Sequence, residues 1–186
     1  VIVGVIGKKG HGKNALGDIL VKHWGFRQVA FADALKLDVC DMYGLAEEQV
    51  NGTIEQKEAV DPRHGKSARQ LMQEHGDLRR SENPQYWVDA LHQIIKGLRK
   101  DGVKHFVITD VRYQNEADYV KALSGQLWKI DRPGFGTGTD EAHSSEAGAH
   151  EITPDFDVMN DSTLIDLRES VMKLMYELSR QGFLSK

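Results

Sequence analysis

The chain has 186 residues, a formal net charge of −4 and a pI near 6.1, a balance that offers no basic surface to nucleic acid or to an anionic membrane. Its single cysteine, Cys40, excludes an internal disulfide and reads as a small core residue in a reducing compartment. No apolar run approaches the ~18 residues of a spanning helix, and the first residues lack the charged head of a signal peptide, so the expectation is one cytoplasmic domain with excursions.

Val1-Ile-Val-Gly-Val-Ile6 is apolar in five of six positions and mostly β-branched, which predicts a strand buried on both faces of a parallel sheet. It runs into Gly7-Lys-Lys-Gly-His-Gly-Lys13, a G-x-x-x-x-G-K pattern, and then into a helical pattern with Leu16, Ile19 and Leu20 on one side. Strand, glycine loop and helix form the context in which this pattern binds phosphate. Glycines let successive N–H groups turn inward, and the helix start adds partial positive charge. Gly10, His11, Gly12, Lys13, Asn14 and Ala15 are therefore the candidate ATP-binding set, with Lys13 reaching the β/γ-phosphates; the alternative is an ordinary glycine-rich turn. Position 14 normally carries Ser or Thr, whose hydroxyl helps hold Mg²⁺. Asn14 offers an amide oxygen instead, a hard donor able to meet the metal directly or through water.

Further strands are predicted at 28–31, 103–109, 126–130 and 156–159, with helical patterns between them. That alternation predicts an α/β fold with a mainly parallel sheet. Ser67-x-x-Gln70 is a capping box opening a helix with Leu71 and Met72 on its apolar side. Asn83-Pro84 supplies an N-cap and first helical position for a helix carrying Trp87, Leu91, Ile94, Ile95 and Leu98. Leu164, Leu167, Val171, Leu174 and Leu178 make one stripe of a C-terminal packing helix. Two stretches exceed what a sheet and its covering helices need: 44–82, rich in charge, and 131–150, rich in glycine. One insertion and one irregular loop on such a core is the plan of a small phosphoryl-transfer enzyme. The expected division is a core of 1–43, 83–130 and 151–186, an acceptor-binding insertion at 44–82 and a lid at 131–150.

Phosphoryl transfer needs positive charge on the moving group, a metal ion and exclusion of water. Asp110 and Arg112 follow the third predicted strand, at the edge where open α/β sheets bind ligands. There Asp110 could order hydrated magnesium and Arg112 could reach the phosphates; alternatively Asp110 caps the helix that Asn115-Glu116 begins. Asp33 and Lys36 are either acceptor contacts or a solvated i,i+3 pair. Arg69 and Gln73 share a helix face and could clamp a phosphate and read a base amide edge, or Arg69 is an exposed charge. Arg132 is the one strong cation of the glycine-rich loop. Tyr86 and Trp87 could stack a base, although Trp87 lies on an apolar stripe. His143 and His150 match no zinc spacing.

These pieces together resemble the viral-type deoxynucleoside monophosphate kinases, which share a pattern with animal-type phosphomevalonate kinases. The matching segments are 7–14, Phe31-Ala-Asp-Ala-Leu-Lys36, Arg69-Gln-Leu-Met-Gln-Glu-His-Gly76, Asn83-Pro-Gln-Tyr-Trp87, Thr109-Asp-Val-Arg-Tyr-Gln-Asn-Glu116, His143-Ser-Ser-Glu146 and Asp157-Val-Met-Asn-Asp161. Asn14 then varies a family habit of Asp at this position. The resemblance implies a P-loop nucleoside monophosphate kinase fold: three layers around a five-stranded, mostly parallel sheet. It implies transfer of the ATP γ-phosphoryl group to a dNMP with Mg²⁺, for which Asn14 and Asp110, directly or through water, are the candidate ligands. Lys13 would stabilise the moving group, and Lys9 would face the acceptor phosphate. Lys36 and Arg69, with Asp33 and Gln73, would hold the acceptor, and Glu146 would border it. Arg112 and Arg132 would neutralise developing charge, and Asn160 would lie beside adenine. Small nucleotides are the implied partners, without nucleic acid or membrane, in the cytoplasm (the host's, for a viral protein), with a homodimer left open. The rivals are a phosphomevalonate kinase and, from another class, a nucleotide-dependent switch; no N-K-x-D base signature supports the switch.

Overall fold

In a computed structural model of the chain, residues 1–135 and 152–185 are described. In chain order the elements are β1 (Ile2–Ile6), α1 (Lys13–Trp24), β2 (Arg27–Val29), α2 (Phe31–Tyr43), α3 (Glu47–Asn51), α4 (Ile54–Glu58), β3 (Val60–Asp61) and β4 (Lys66–Ser67). They continue as α5 (Ala68–Glu82), α6 (Tyr86–Lys100), β5 (Phe106–Ile108), α7 (Gln114–Ala122), β6 (Gln126–Asp131), β7 (Phe156–Met159), α8 (Leu164–Arg180) and a 3₁₀ turn (Phe183–Ser185). Two compact units result: Val1–Ala30 with Lys96–Lys186, and Phe31–Ile95.

The first unit is built on a five-stranded sheet in the order β2-β5-β1-β6-β7, and every pairing in it is parallel. All five residues of β1 are buried, as a central strand covered on both faces requires. Val3 and Val5 pack with Leu16 and Leu20 of α1 and Val171 and Met175 of α8. All six are fully excluded from water, and each contributes about 2 kcal/mol of transfer free energy. On the opposite face α7 comes close: a Cβ on Gly4 would meet Val120 at 2.9 Å. Because β1 is parallel to both neighbours, the segments leaving β1, β5 and β6 emerge at one edge of the sheet.

The second unit packs Val39, Leu45, Val50, Ala68 and Leu71 into its own core. Cys40 packs against this core half-buried, and burial, then Glu47, push its thiol pKa up. The capping box forms as expected: Ser67 Oγ accepts from the Gln70 N–H at 3.2 Å, and the Ser67 N–H donates to Gln70 Oε1 at 2.9 Å. The antiparallel ribbon of β3 and β4 is new; two-residue strands carry no period by which a sequence could announce them. Its corner is held by buried Asp61, which accepts from the Arg63 backbone and guanidinium and from Gln49.

Several boundaries shift for local reasons. Phe31 opens α2 rather than closing β2. β5 begins at Phe106 because the Val103 N–H turns back to the Leu98 carbonyl at the end of α6. Asn83 does cap, its Oδ1 accepting from the Gln85 N–H at 2.9 Å, but regular helix starts only at Tyr86. On α8, Leu164 is exposed and Met175 takes the buried position.

Candidate active site

The phosphate-loop candidate connects β1 to α1. Gly10 and Gly12 have φ of +83° and +100°, left-handed values that cost a side-chain-bearing residue ~1 kcal/mol or more. α1 starts at Lys13 with Gly12 as its N-cap, with no side-chain cap bond and no acidic residue in its first turn. The helix therefore presents backbone N–H groups and the positive end of its dipole, the arrangement that receives anions. Lys13 donates from Nζ to the carbonyls of Gly7 and Lys8, the latter at 2.8 Å, which lays its ammonium back across the loop. Asn14 and Lys9 are exposed and Ala15 is half-buried.

His11 faces inward instead, 4% exposed. Its Nδ1 lies 3.0 Å from Asp131 Oδ1 and accepts from the Arg132 N–H at 3.2 Å, and its Nε2 lies 3.1 Å from the Phe135 carbonyl oxygen. Its own carbonyl accepts from Asn160 Nδ2 at 2.9 Å. Asn160, which the resemblance sets beside adenine, thus gives this amide hydrogen to the loop. The Arg132 guanidinium stacks over the Phe135 ring at 4.2 Å.

Asp110 follows β5, half-buried, at the same sheet edge as the loop. The cap of α7 is not Asp110: Glu116, buried, accepts from the Arg112 N–H at 2.8 Å and the Tyr113 N–H at 3.2 Å. Those bonds fix the backbone that carries Arg112.

In the second unit Lys36 and Asp33 form the i,i+3 pair at 3.6 Å. Arg69 donates to Glu58 at 3.1 Å, and Gln73 lies half-buried one turn further along α5. Lys57, which the sequence pattern does not single out, joins this group. Its pKa is lowered first by burial and then by the charges of Lys36 and Arg69; of the helices that carry the three, α5 packs against both α2 and α4. The capping box Thr53-x-x-Gln56 marks the short helix that carries Lys57, but nothing in it marks Lys57's neighbours. Trp87 is core, its Nε1 donating to the Gly76 carbonyl at 3.2 Å. Tyr86 packs edge-on against Trp87 at 4.8 Å and donates to Asp38 at 3.0 Å. Buried His75 stands 3.6 Å from the same Asp38 oxygen. Glu146, His143, His150 and residues 136–150 of the expected lid lie outside the described residues.

A parallel sheet in this strand order, with a glycine loop and helix after its central first strand, defines the class: an α/β fold of the P-loop type. Dephospho-CoA kinase from Campylobacter jejuni is similar over 97% of this chain and 98% of its own, with a TM-score of 0.55 and 16% identity. Shikimate kinase from Aquifex aeolicus is similar over 98% and 99%, with a TM-score of 0.51 and 14% identity. At that identity the likeness is one of fold.

Residues 49–171 match the family described as "Deoxynucleotide monophosphate kinase". A relative from Acanthamoeba polyphaga mimivirus, named "Putative deoxynucleotide monophosphate kinase", is 34% identical over 98% of this chain and 100% of its own. The chain belongs to the deoxynucleotide monophosphate kinase family and is a nucleotide kinase, a phosphotransferase. Among the described residues, no helix is long and apolar enough to cross a membrane.

Proposed function

We propose that the chain transfers the γ-phosphoryl group of ATP to a deoxynucleoside monophosphate, giving the diphosphate. What supports this reading is that each compact unit carries its own group of cations: Lys13 at the 7–14 loop in one, and Lys36, Lys57 and Arg69 in the other. A nucleotide switch needs only the first.

In this proposal the loop amides and Lys13 hold the β- and γ-phosphates, with Lys13 exchanging its loop carbonyls for phosphate oxygens. Lys36, Lys57 and Arg69 hold the acceptor phosphate, Gln73 reads the base, and Lys9 meets the acceptor phosphate from the loop. The segment 44–82 serves the acceptor, and 131–150 excludes water. Arg112 and Arg132 meet the charge that develops on the transferring group. Asn14 and Asp110 supply one amide and one carboxylate oxygen, a set suited to Mg²⁺, which keeps several waters and takes few protein ligands. When bound, the ion neutralises charge on the β- and γ-phosphates.

A coupled ADP-release assay tests this with a panel of dNMPs and NMPs, with phosphomevalonate, and with no acceptor. ADP release should depend on a dNMP. Lys13→Ala and Arg69→Ala should both abolish turnover, while Arg69→Ala leaves ATP binding nearly intact. Release that depends on phosphomevalonate alone, or on no acceptor, overturns the proposal.

A further inference from the structure

We infer that His11 is a positioning residue: its imidazole fastens the segment leaving β6, and with it Arg132, to the phosphate loop. This rests on the proposed role of Arg132 in phosphoryl transfer. In the G-x-x-x-x-G-K pattern the position is an unspecified x, and a solvent-facing side chain would satisfy it. Here the ring is buried and touches three of the five residues from 131 to 135: the Asp131 carboxylate, the Arg132 N–H and the Phe135 carbonyl. Phe135 closes the circuit on the loop's other side, because a Cβ on Gly10 would lie 3.2 Å from its ring. Arg132 stacks on that ring, so the guanidinium is held through both its backbone and its plane.

The nitrogen inventory shows why histidine suits the place. A carbonyl oxygen only accepts, so Nε2 carries a hydrogen toward Phe135. In the neutral ring Nδ1 then accepts from the Arg132 N–H; in the imidazolium Nδ1–H donates to Asp131 instead. Either form grips the segment at two points about a ring's width apart. Asparagine reproduces only the nearer point, and glutamine only the farther one.

The test combines a double-mutant cycle with amide exchange on the full chain. His11→Ala should lower kcat about a hundredfold, with ATP affinity changed by less than threefold, and Arg132→Ala should do the same. The double variant should be no slower than Arg132→Ala alone, because His11 acts through Arg132. Exchange of the amides at 131–135 should rise about fivefold in His11→Ala, the loss expected for one hydrogen bond. His11→Asn and His11→Gln should each recover part of kcat, and they carry the same readings if the alanine variant does not fold. Losses that multiply in the double variant, or unchanged exchange at 131–135, overturn the inference. A wild-type chain inactive on every dNMP would sink the proposed function instead, while the exchange experiment would still test the strap.

Discussion

Asn160 and His11 stand 149 residues apart in sequence, yet the Asn160 amide donates to the His11 carbonyl at 2.9 Å. The same Nδ2 would lie 2.6 Å from a Cβ on Gly12, whose φ is +100°. The loop is thus shaped from beneath by an amide that tolerates only a bare glycine above it. Gly12→Ala should cost about 1–3 kcal/mol and abolish ATP binding. Asn160→Ala should cost about 1 kcal/mol and weaken ATP binding, and Asn160→Asp should be worse, since a carboxylate would face a carbonyl. Urea unfolding and nucleotide titration measure both.

Lys57 gives a prediction in which stability and function move apart. Burial and two neighbouring cations lower its pKa in the folded state, so its charge is disfavoured there. Lys57→Met should leave the melting temperature unchanged or higher. It should raise KM for dNMP about tenfold, the effect of one lost charge-assisted contact, and leave KM for ATP unchanged. A lower melting temperature with unchanged KM for dNMP would show the lysine to be structural.

Asp61 governs the acid side. Hydrogen bonds from Arg63 and Gln49 hold its carboxyl far below the usual range. A carboxylate with a depressed folded pKa stabilises above its unfolded value, about 3.9, and loses that contribution as pH falls below it. Asp61→Asn should therefore lower the urea midpoint at pH 7. The gap from wild type should narrow by pH 3, and an equal gap at both would exclude this linkage.

Within the second unit Tyr86 donates to Asp38. That hydrogen bond, with burial behind it, raises the Tyr86 pKa. Tyr86→Phe should cost about 1 kcal/mol by taking this donor from Asp38. In an Asp38→Asn background the same change should cost measurably less.

The sheet was legible because β-branched runs at the right spacing leave few alternatives: β1, β6 and β7 lie where their composition puts them. Phe31 misled because aromatic residues favour strands, while the helix it begins is set by the residues after it, through Tyr43. The phosphate loop was legible as a pattern, but the inward turn of His11 was not, since it depends on residues more than a hundred positions away. Lys57 escaped for the same reason: a lone lysine in a charged stretch carries no sign that Lys36 and Arg69 will gather beside it.

The central strand of the sheet is the first of its strands to be synthesised, and both its partners, β5 and β6, lie beyond residue 105. Until they leave the ribosome, the β1 amides and carbonyls have no ladder to join and its buried valines no cover. The Phe31–Ile95 unit, with a core drawn from its own residues, is complete in the nascent chain well before that. Emergence of the earliest strand and its acquisition of shape are thus separated by the synthesis of everything between Ile6 and Phe106, and a chain truncated before β6 would leave the nucleotide loop without its scaffold.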